Sequence, residues 1–207
     1  MSRVFDDPRS VLDSTDLLDR FLRYVRIDTQ SDESSDSCPS TPKQLDLARV
    51  LEEELRALGC EDVVLDENGY VTARVPGTRE GRIGLVAHMD TAPQFTGTGV
   101  NPQLREDYRG GPIEIGNGLR LEPAENPELE ECIGDTIVTT DGTTLLGADD
   151  KAGVAAIMTL VEVLQANPDV ERPTIMVGFT PDEEIGRGAH RFPFDRFDAP
   201  AAFTVDG

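Results

Sequence analysis

One histidine and four acidic residues stand at or near the ends of apolar, strand-like runs of this sequence. They are His88, Asp149, Glu183, Glu184 and Asp206. In open α/β sheets, functional sites form at the edge where the strands reach their carboxyl ends, so side chains in such positions converge. Imidazole nitrogens and carboxylate oxygens are ligands that divalent metal ions use in proteins. The sequence therefore predicts one metal site at a single sheet edge.

The runs that must position these side chains alternate with helical patterns. Residues 83–87, 174–179 and 201–205 are apolar and strand-like. Residues 154–164 are apolar almost all round, which is typical of a helix buried between a sheet and a neighbouring layer. This alternation predicts an α/β sandwich.

The other local signals surround this framework. Apolar residues at helical spacing predict a helix over 17–25, and a second helix is predicted over 42–58. At the start of the second helix, Thr41 and Gln44 are expected to form a capping box. The stretch 91–144 is rich in Gly, Pro and Asn, and predicts hairpins and loops beside the site.

The charge balance excludes several function classes. A formal net charge of −21 repels nucleic acid and anionic membranes, and the chain has no basic stripe for either partner. No long apolar segment follows the amino terminus, so neither a secretory signal nor a membrane span is expected, and the predicted location is the cytoplasm. Cys38, Cys60 and Cys132 are odd in number and far apart, which favours free thiols over disulfides or a thiolate zinc site.

Six segments carry a resemblance to a known family. Their order along the chain resembles peptidase T, the tripeptide aminopeptidase branch of the di-zinc M20 metallopeptidases, and the likeness extends over nearly the whole chain from about Leu17. The resemblance implies a three-layer sandwich with a mixed, mostly parallel sheet flanked by helices, of the zinc-dependent exopeptidase type and truncated. The segments are 88–91, 101–103, 108–111, 140–153, 180–186 and 204–207.

The resemblance also implies a ligand set for two zinc ions per full-length subunit. His88 and Asp206 would bind the first zinc ion, and Glu184 would bind the second. Asp149 would bridge both ions, which suits a carboxylate between metals about 3.5–4 Å apart.

Two further residues receive implied roles in catalysis. Glu183 would be the general base when a zinc-bound water attacks the peptide carbonyl. Asp90 would hold the ring of His88 through a hydrogen bond. The bond between Asp149 and Asp150 is expected to be cis, as it is in the family. The implied function is a metal-dependent aminopeptidase that releases the amino-terminal residue from tripeptides.

Two alternatives stay open. The chain could belong to another M20-type hydrolase, namely a dipeptidase, a carboxypeptidase or an N-acyl amino acid deacylase, or it could be a non-catalytic metal-binding fragment. Family members have a second zinc histidine far downstream and an inserted lid domain, whereas the only histidines here are His88 and His190, and we interpret His190 as an ordinary polar residue.

Residues 1–207 are therefore expected to be the amino-terminal part of the catalytic zinc peptidase domain, without the lid domain and the carboxyl-terminal part. As an isolated fragment this part is expected to be inactive. The expected partners are small peptides, with self-association and the missing carboxyl-terminal half also open, and neither nucleic acid nor membrane is expected.

Overall fold

The computed structural model describes residue 5 and residues 7–206; Gly207, which the sequence places in the last strand-end motif, lies outside them. The described residues form five α-helices, nine β-strands and two short 3₁₀ helices. The helices are α1 (Pro8–Ser14), α2 (Leu17–Tyr24), α3 (Gln44–Ala57), α4 (Ala148–Ala166) and α5 (Phe194–Phe197). The strands are β1 (Glu61–Leu65), β2 (Val71–Val75), β3 (Arg82–His88), β4 (Gln103–Arg105), β5 (Ile113–Gly116), β6 (Leu119–Leu121), β7 (Ile137–Thr139), β8 (Thr174–Thr180) and β9 (Ala202–Thr204).

The main sheet has five strands in the order β1-β2-β8-β3-β9. β1 pairs with β2 and β2 with β8 in antiparallel fashion. β3 lies parallel to both β8 and β9. This mixed sheet, flanked by helices, confirms the predicted α/β fold.

Helices α2, α3 and α4 cover one face of the sheet, with α4 packed on β3 and α3 on β1 and β2. The core between them is fully apolar at Leu51, Val177 and Phe179, and α4 contributes Val154 and Met158, as the sequence predicts for a buried helix. Burial of this kind contributes about 1.5–3 kcal/mol for each large side chain. It fixes the sheet against α4 and hence the start of α4 against the strand ends.

The opposite face carries a cluster of phenylalanines. The rings of Phe192 and Phe197 meet edge to face, with centroids 4.9 Å apart. Both lie against the sheet at Gly178, and Phe197 also lies against Gly84, where a side chain on either glycine would meet the rings. These contacts supply the third layer of the sandwich.

Residues 91–144 form the predicted excursion of loops and short hairpins. β4 pairs with β7, and β5 pairs with β6. Tyr108, Ile113 and Leu129 make a small apolar cluster of their own within this excursion.

The capping box predicted at the start of α3 is wrong. α3 begins at Gln44, and its first residue is preceded by Lys43, whose side chain makes no capping bond. The hydroxyl of Thr41 donates instead to the carbonyl of Gln30 at 2.7 Å. The side chain of Gln44 is buried and bonds to Asp182 at 2.7 Å. A buried carboxylate is a stronger acceptor than the competing backbone groups, so it takes the amide of Gln44.

Two smaller expectations also meet the structure. Cys38, Cys60 and Cys132 are free thiols. Among the described residues, no helix combines the length and apolar character needed to cross a bilayer. The cytoplasmic location stays a prediction.

Candidate metal centre

The chemistry-bearing residues gather where three parallel strands end. His88 is the last residue of β3 and pairs with Thr180, the last residue of β8. Glu183 and Glu184 follow β8 in a short 3₁₀ turn, and Asp206 follows β9. Because these strands are parallel, their carboxyl ends share one edge of the sheet, as the sequence predicts.

His88 is buried and held by hydrogen bonds on both ring nitrogens. Its Nδ1 lies 3.1 Å from the carbonyl oxygen and 3.3 Å from the carboxylate of Asp90. Its Nε2 lies 2.8 Å from Oδ1 of Asp149. An Nδ1–H that donates to Asp90 leaves the Nε2 lone pair free to bind a metal ion.

The carboxylates around His88 set its affinity for positive charge. Burial lowers the pKa of the imidazole, but the hydrogen bond and charge of Asp90, together with Asp149 and Asp150, outweigh burial and raise the pKa to about 10. The surroundings therefore favour a cation at this position, and a metal ion on Nε2 would supply one in place of the proton.

Asp90 connects the histidine to the acidic turn. Its side chain is fully buried. One carboxylate oxygen accepts the backbone N–H of Glu183 at 2.9 Å, and the other accepts that of Glu184 at 3.1 Å. A single carboxylate thus orients the histidine ring and fixes the backbone of both glutamates.

Asp149 and Asp150 lie in a distorted first turn of α4. The residue before the helix, Gly147, has a left-handed backbone with φ 77°, and Asp149 departs from helical geometry. The peptide bond between Asp149 and Asp150 is cis, which confirms that prediction. The side chain of Asp149 is 60% exposed and faces His88.

Asp150, by contrast, points inward. Its carboxylate accepts the backbone N–H groups of His88 and Gly153, each at 3.1 Å. Burial, with a further contribution from the nearby charge of Asp206, raises the pKa of Asp150 to about 7. Glu184 also has a raised pKa, first because of burial and then because of the charge of Asp149.

The ligand atoms of these residues form two overlapping groups, and in each group all atoms lie within 4.8 Å of one another. One group is His88, Asp149 and Glu184, and the other is His88, Asp150 and Asp206. Two donors on one zinc ion with bonds of about 2.0–2.2 Å lie at most ~4.4 Å apart. The donor set therefore fits a divalent cation after small side-chain rotations.

The structure thus brings together all four residues predicted as ligands, and places two others as expected. Oε2 of Glu183 lies 3.9 Å from Nε2 of His88, beside the ligand groups. Asp90 takes the orienting position described above. His190 belongs to neither group, in keeping with its interpretation as an ordinary polar residue.

Two residues near the centre escaped the sequence interpretation. Asp150 was seen only as the neighbour of Asp149, although its burial makes it part of one ligand group. Asp182 was seen only as part of a link after β8, although it is buried and fully hydrogen-bonded. The signal for both was the same, an acid placed directly beside a candidate ligand.

A wide groove opens beside the centre. It has a volume of about 570 Å³ and is lined by His88, Glu183 and Asp206 at one end. Toward the other end it is lined by apolar side chains that include Phe192 and Phe194. Substrate-sized molecules fit a space of this volume.

Comparison with known proteins agrees with this arrangement. Residues 139–204 match the family described as Peptidase family M20/M25/M40. The chain is 54% identical over 197 residues to peptidase T of Geobacillus thermodenitrificans, covering 93% of this chain and 48% of that protein. It is 52% identical, with the same coverage, to peptidase T of Bacillus subtilis.

The fold has a counterpart among solved structures. A tripeptidase from Staphylococcus aureus superposes with a TM-score of 0.65 at 26% identity, over 92% of this chain and 43% of that one. The chain therefore spans about half the length of the relatives it matches.

Proposed function

Because this chain is a relative of peptidase T of the M20 peptidases over 93% of its length, we propose that it carries most of the metal site of a metal-dependent aminopeptidase. In this proposal residues 1–207 are the amino-terminal part of the catalytic domain, and the whole protein releases the amino-terminal residue from tripeptides. The observation that carries the proposal is the convergence of His88, Asp149, Glu184 and Asp206 at one sheet edge, with Glu183 beside them.

We assign the metal ligands as two overlapping sets. His88 and Asp206 belong to one ion, Glu184 to the other, and Asp149 lies between them. When bound, zinc lowers the pKa of a coordinated water from about 15.7 toward about 7 and polarises a carbonyl group. The carboxylate-rich donor set at His88 supports a divalent cation of this kind.

Glu183 acts as the general base. Its side chain is half exposed and reaches to within 3.9 Å of Nε2 of His88, so it borders the ligand groups and faces the groove. It takes the proton of the attacking water and returns it to the amine of the leaving residue. Asp90 keeps the base in place because it binds the backbone N–H of Glu183.

Tripeptides are the proposed substrate because the most similar proteins are peptidase T and the structural neighbour is a tripeptidase. The groove beside the centre has room for a short peptide, since its volume is about 570 Å³. Its apolar wall at Phe192 and Phe194 offers contact surface to a side chain of the peptide.

The test is hydrolysis by a full-length form of the protein loaded with zinc. We expect cleavage of tripeptides at the amino-terminal residue, with loss of activity on chelation and recovery when zinc is restored. Dipeptides and N-acyl amino acids are the comparison substrates. Preference for an N-acyl amino acid would replace the aminopeptidase proposal by a deacylase, and activity that survives complete metal removal would refute the metal-dependent mechanism.

A further inference from the structure

The turn that carries Glu183 and Glu184 is fastened from outside the metal centre by Asp182. This residue has a left-handed backbone with φ 58° and is almost completely buried. A positive φ is uncommon for residues other than glycine, and Asp is among the few that tolerate it. The chain thus adopts a sparsely populated conformation immediately before the two glutamates, and it needs a compensating contact there.

That contact comes from residues more than a hundred positions earlier in the chain. The Asp182 carboxylate accepts the backbone N–H of Ser40 at 2.8 Å and its hydroxyl at 2.5 Å. It also accepts the side-chain amide of Gln44 at 2.7 Å, and the Asp182 N–H donates back to the Gln44 carbonyl oxygen at 3.2 Å. We call Ser40, Gln44 and Asp182 the latch.

We propose that the latch is a positioning device for the metal centre, in which Ser40 and Gln44 act through Asp182 to hold Glu183 and Glu184 at the ligand groups. This inference rests on the proposed function, because it takes Glu184 as a metal ligand. The latch residues are positioning residues and contact no substrate.

The two glutamates depend on such support because their own side chains hold little. The side chain of Glu183 is half exposed. Their place is set by the backbone, which Asp90 binds from inside the centre at the N–H groups of both residues. The latch binds the same turn from the opposite side, one residue earlier. Removing either support leaves the turn held at one side only.

A second contact reinforces the latch from the far end of the turn. The backbone N–H of Arg187 donates to the carbonyl of Asp182 at 2.8 Å. The guanidinium of Arg187 donates to the carbonyls of Ser35 and Glu33, at 2.6 and 3.3 Å. The loop before α3 therefore grips the acidic turn at both of its ends.

The test compares the zinc affinity of the chain with that of latch variants. Gln44→Met keeps the size of the side chain but removes both of its hydrogen bonds to Asp182. Asp182→Asn keeps a residue that tolerates the positive φ but turns an amide toward donors. We expect each to lower zinc affinity by about 10–100-fold, the range typical for residues that support metal ligands. The double variant should lose less than the two single losses combined, because both changes break one unit.

Two further variants separate positioning from loss of folding. Ser40→Ala removes one hydroxyl bond, and Ser40→Thr restores it, so zinc affinity should fall in the first and recover in the second. Tyr24→Phe removes a buried hydrogen bond of 2.6 Å to Glu54 on the helical layer. It should lower thermal stability without changing zinc affinity. Equal zinc affinity in the wild type and all latch variants would overturn the proposal.

A second measurement does not depend on metal. Hydrogen exchange of the segment 182–188 in the metal-free chain should be at least about tenfold faster in Gln44→Met than in the wild type or Tyr24→Phe, because local opening no longer breaks the latch. If the wild type binds no zinc but this acceleration is seen, the metal part of the proposed function fails and the latch stands. Unchanged exchange in that case would overturn the latch itself.

Discussion

At the scale of single residues, the centre works because one buried carboxylate serves two purposes. Asp90 accepts a hydrogen bond from the His88 ring and also binds the backbone of Glu183 and Glu184. A histidine at a strand end is ordinarily just a polar residue with satisfied hydrogen bonds. Here the contact with Asp90 directs its other nitrogen into a group of carboxylates, which turns an ordinary residue into a candidate ligand.

Replacing Asp90 should therefore affect both stability and metal binding. Asp90→Ala leaves the N–H groups of Glu183 and Glu184 without their acceptor, at a cost of about 1–3 kcal/mol for each buried group left unsatisfied. Zinc affinity should also fall by about 10–100-fold because His88 loses its orienting partner. Urea unfolding and zinc titration measure the two effects. Asp90→Asn, which keeps one oxygen acceptor, should show smaller losses in both.

Glu183 allows the sharpest test of the chemistry. In an active full-length form, Glu183→Gln should retain bound zinc but lose about 10²–10⁴-fold in kcat, because an amide cannot accept the proton of water. Steady-state hydrolysis of a tripeptide, together with metal analysis, checks both halves of the statement. Glu67→Gln, on the turn between β1 and β2, is the matched control and should behave as the wild type. An active Glu183→Gln protein would assign the base to another residue.

The sequence predicts the centre to different depths for different residues. The ligands His88, Glu184 and Asp206 could be found because each follows an apolar run, and the ends of parallel strands meet at one edge. Gln44 could not be assigned to Asp182, since 138 positions separate them and the local pattern favours a cap. Long-range hydrogen bonds of buried side chains leave no local signal in the sequence.

At the scale of elements, the position of β9 depends on a glycine in α4. Gly153 lies where α4 passes the end of β9, and a methyl group there would overlap the carbonyl oxygen of Val205 and the carboxylate of Asp150. The glycine lets the helix approach closely, and this approach places Asp206, the next residue after Val205, at the metal centre.

Gly153→Ala should consequently destabilise the protein, although Gly to Ala in a helix usually stabilises by about 1 kcal/mol. We expect a loss of about 1–3 kcal/mol from overpacking, measured by urea unfolding, and weaker zinc binding because Asp206 is displaced. The reverse change at an exposed site of the same helix, Ala156→Gly, should cost about 1 kcal/mol with zinc affinity intact. A more stable Gly153→Ala variant would contradict this account of the contact.

Elements with long periodic patterns were predicted better than short ones. The buried helix α4 and the strands β3 and β8 have apolar runs that match their structure. The three- and four-residue strands β4, β5, β6 and β7 could be foreseen only as hairpins in an excursion. Their pairing is decided by tertiary contacts such as the small cluster around Tyr108, which no local pattern shows.

At the scale of the whole molecule, metal binding should stabilise the fold. The chain has a formal charge of −21, and the centre brings several carboxylates together, so a divalent cation relieves repulsion there. Zinc at about 100 times its dissociation constant should add about 2.7 kcal/mol to the free energy of unfolding, seen as a higher Tm. His88→Ala should abolish this shift, and His190→Ala should preserve it. Equal shifts in the two variants would place the bound zinc elsewhere.

The shape of the molecule also bears on activity. The centre faces an open groove of about 570 Å³, and the side chains of Asp149 and Glu183 are 60% and 50% exposed. Within the described residues, no element closes over this groove to hold a peptide or exclude water. Positioning a substrate against catalytic groups can contribute about 7–11 kcal/mol to lowering a barrier.

We therefore expect the 207-residue chain alone to bind zinc but to show no useful hydrolysis of tripeptides, because it offers ligands and a base without a means of holding the substrate. The measurement is tripeptide turnover by the purified chain with zinc, followed by the same assay after addition of a separately produced carboxyl-terminal half of a peptidase T relative. Activity that appears only in the mixture would show that the other half supplies the substrate grip. Robust turnover by the chain alone would mean that the open groove is itself sufficient, and the positioning argument would have to be abandoned.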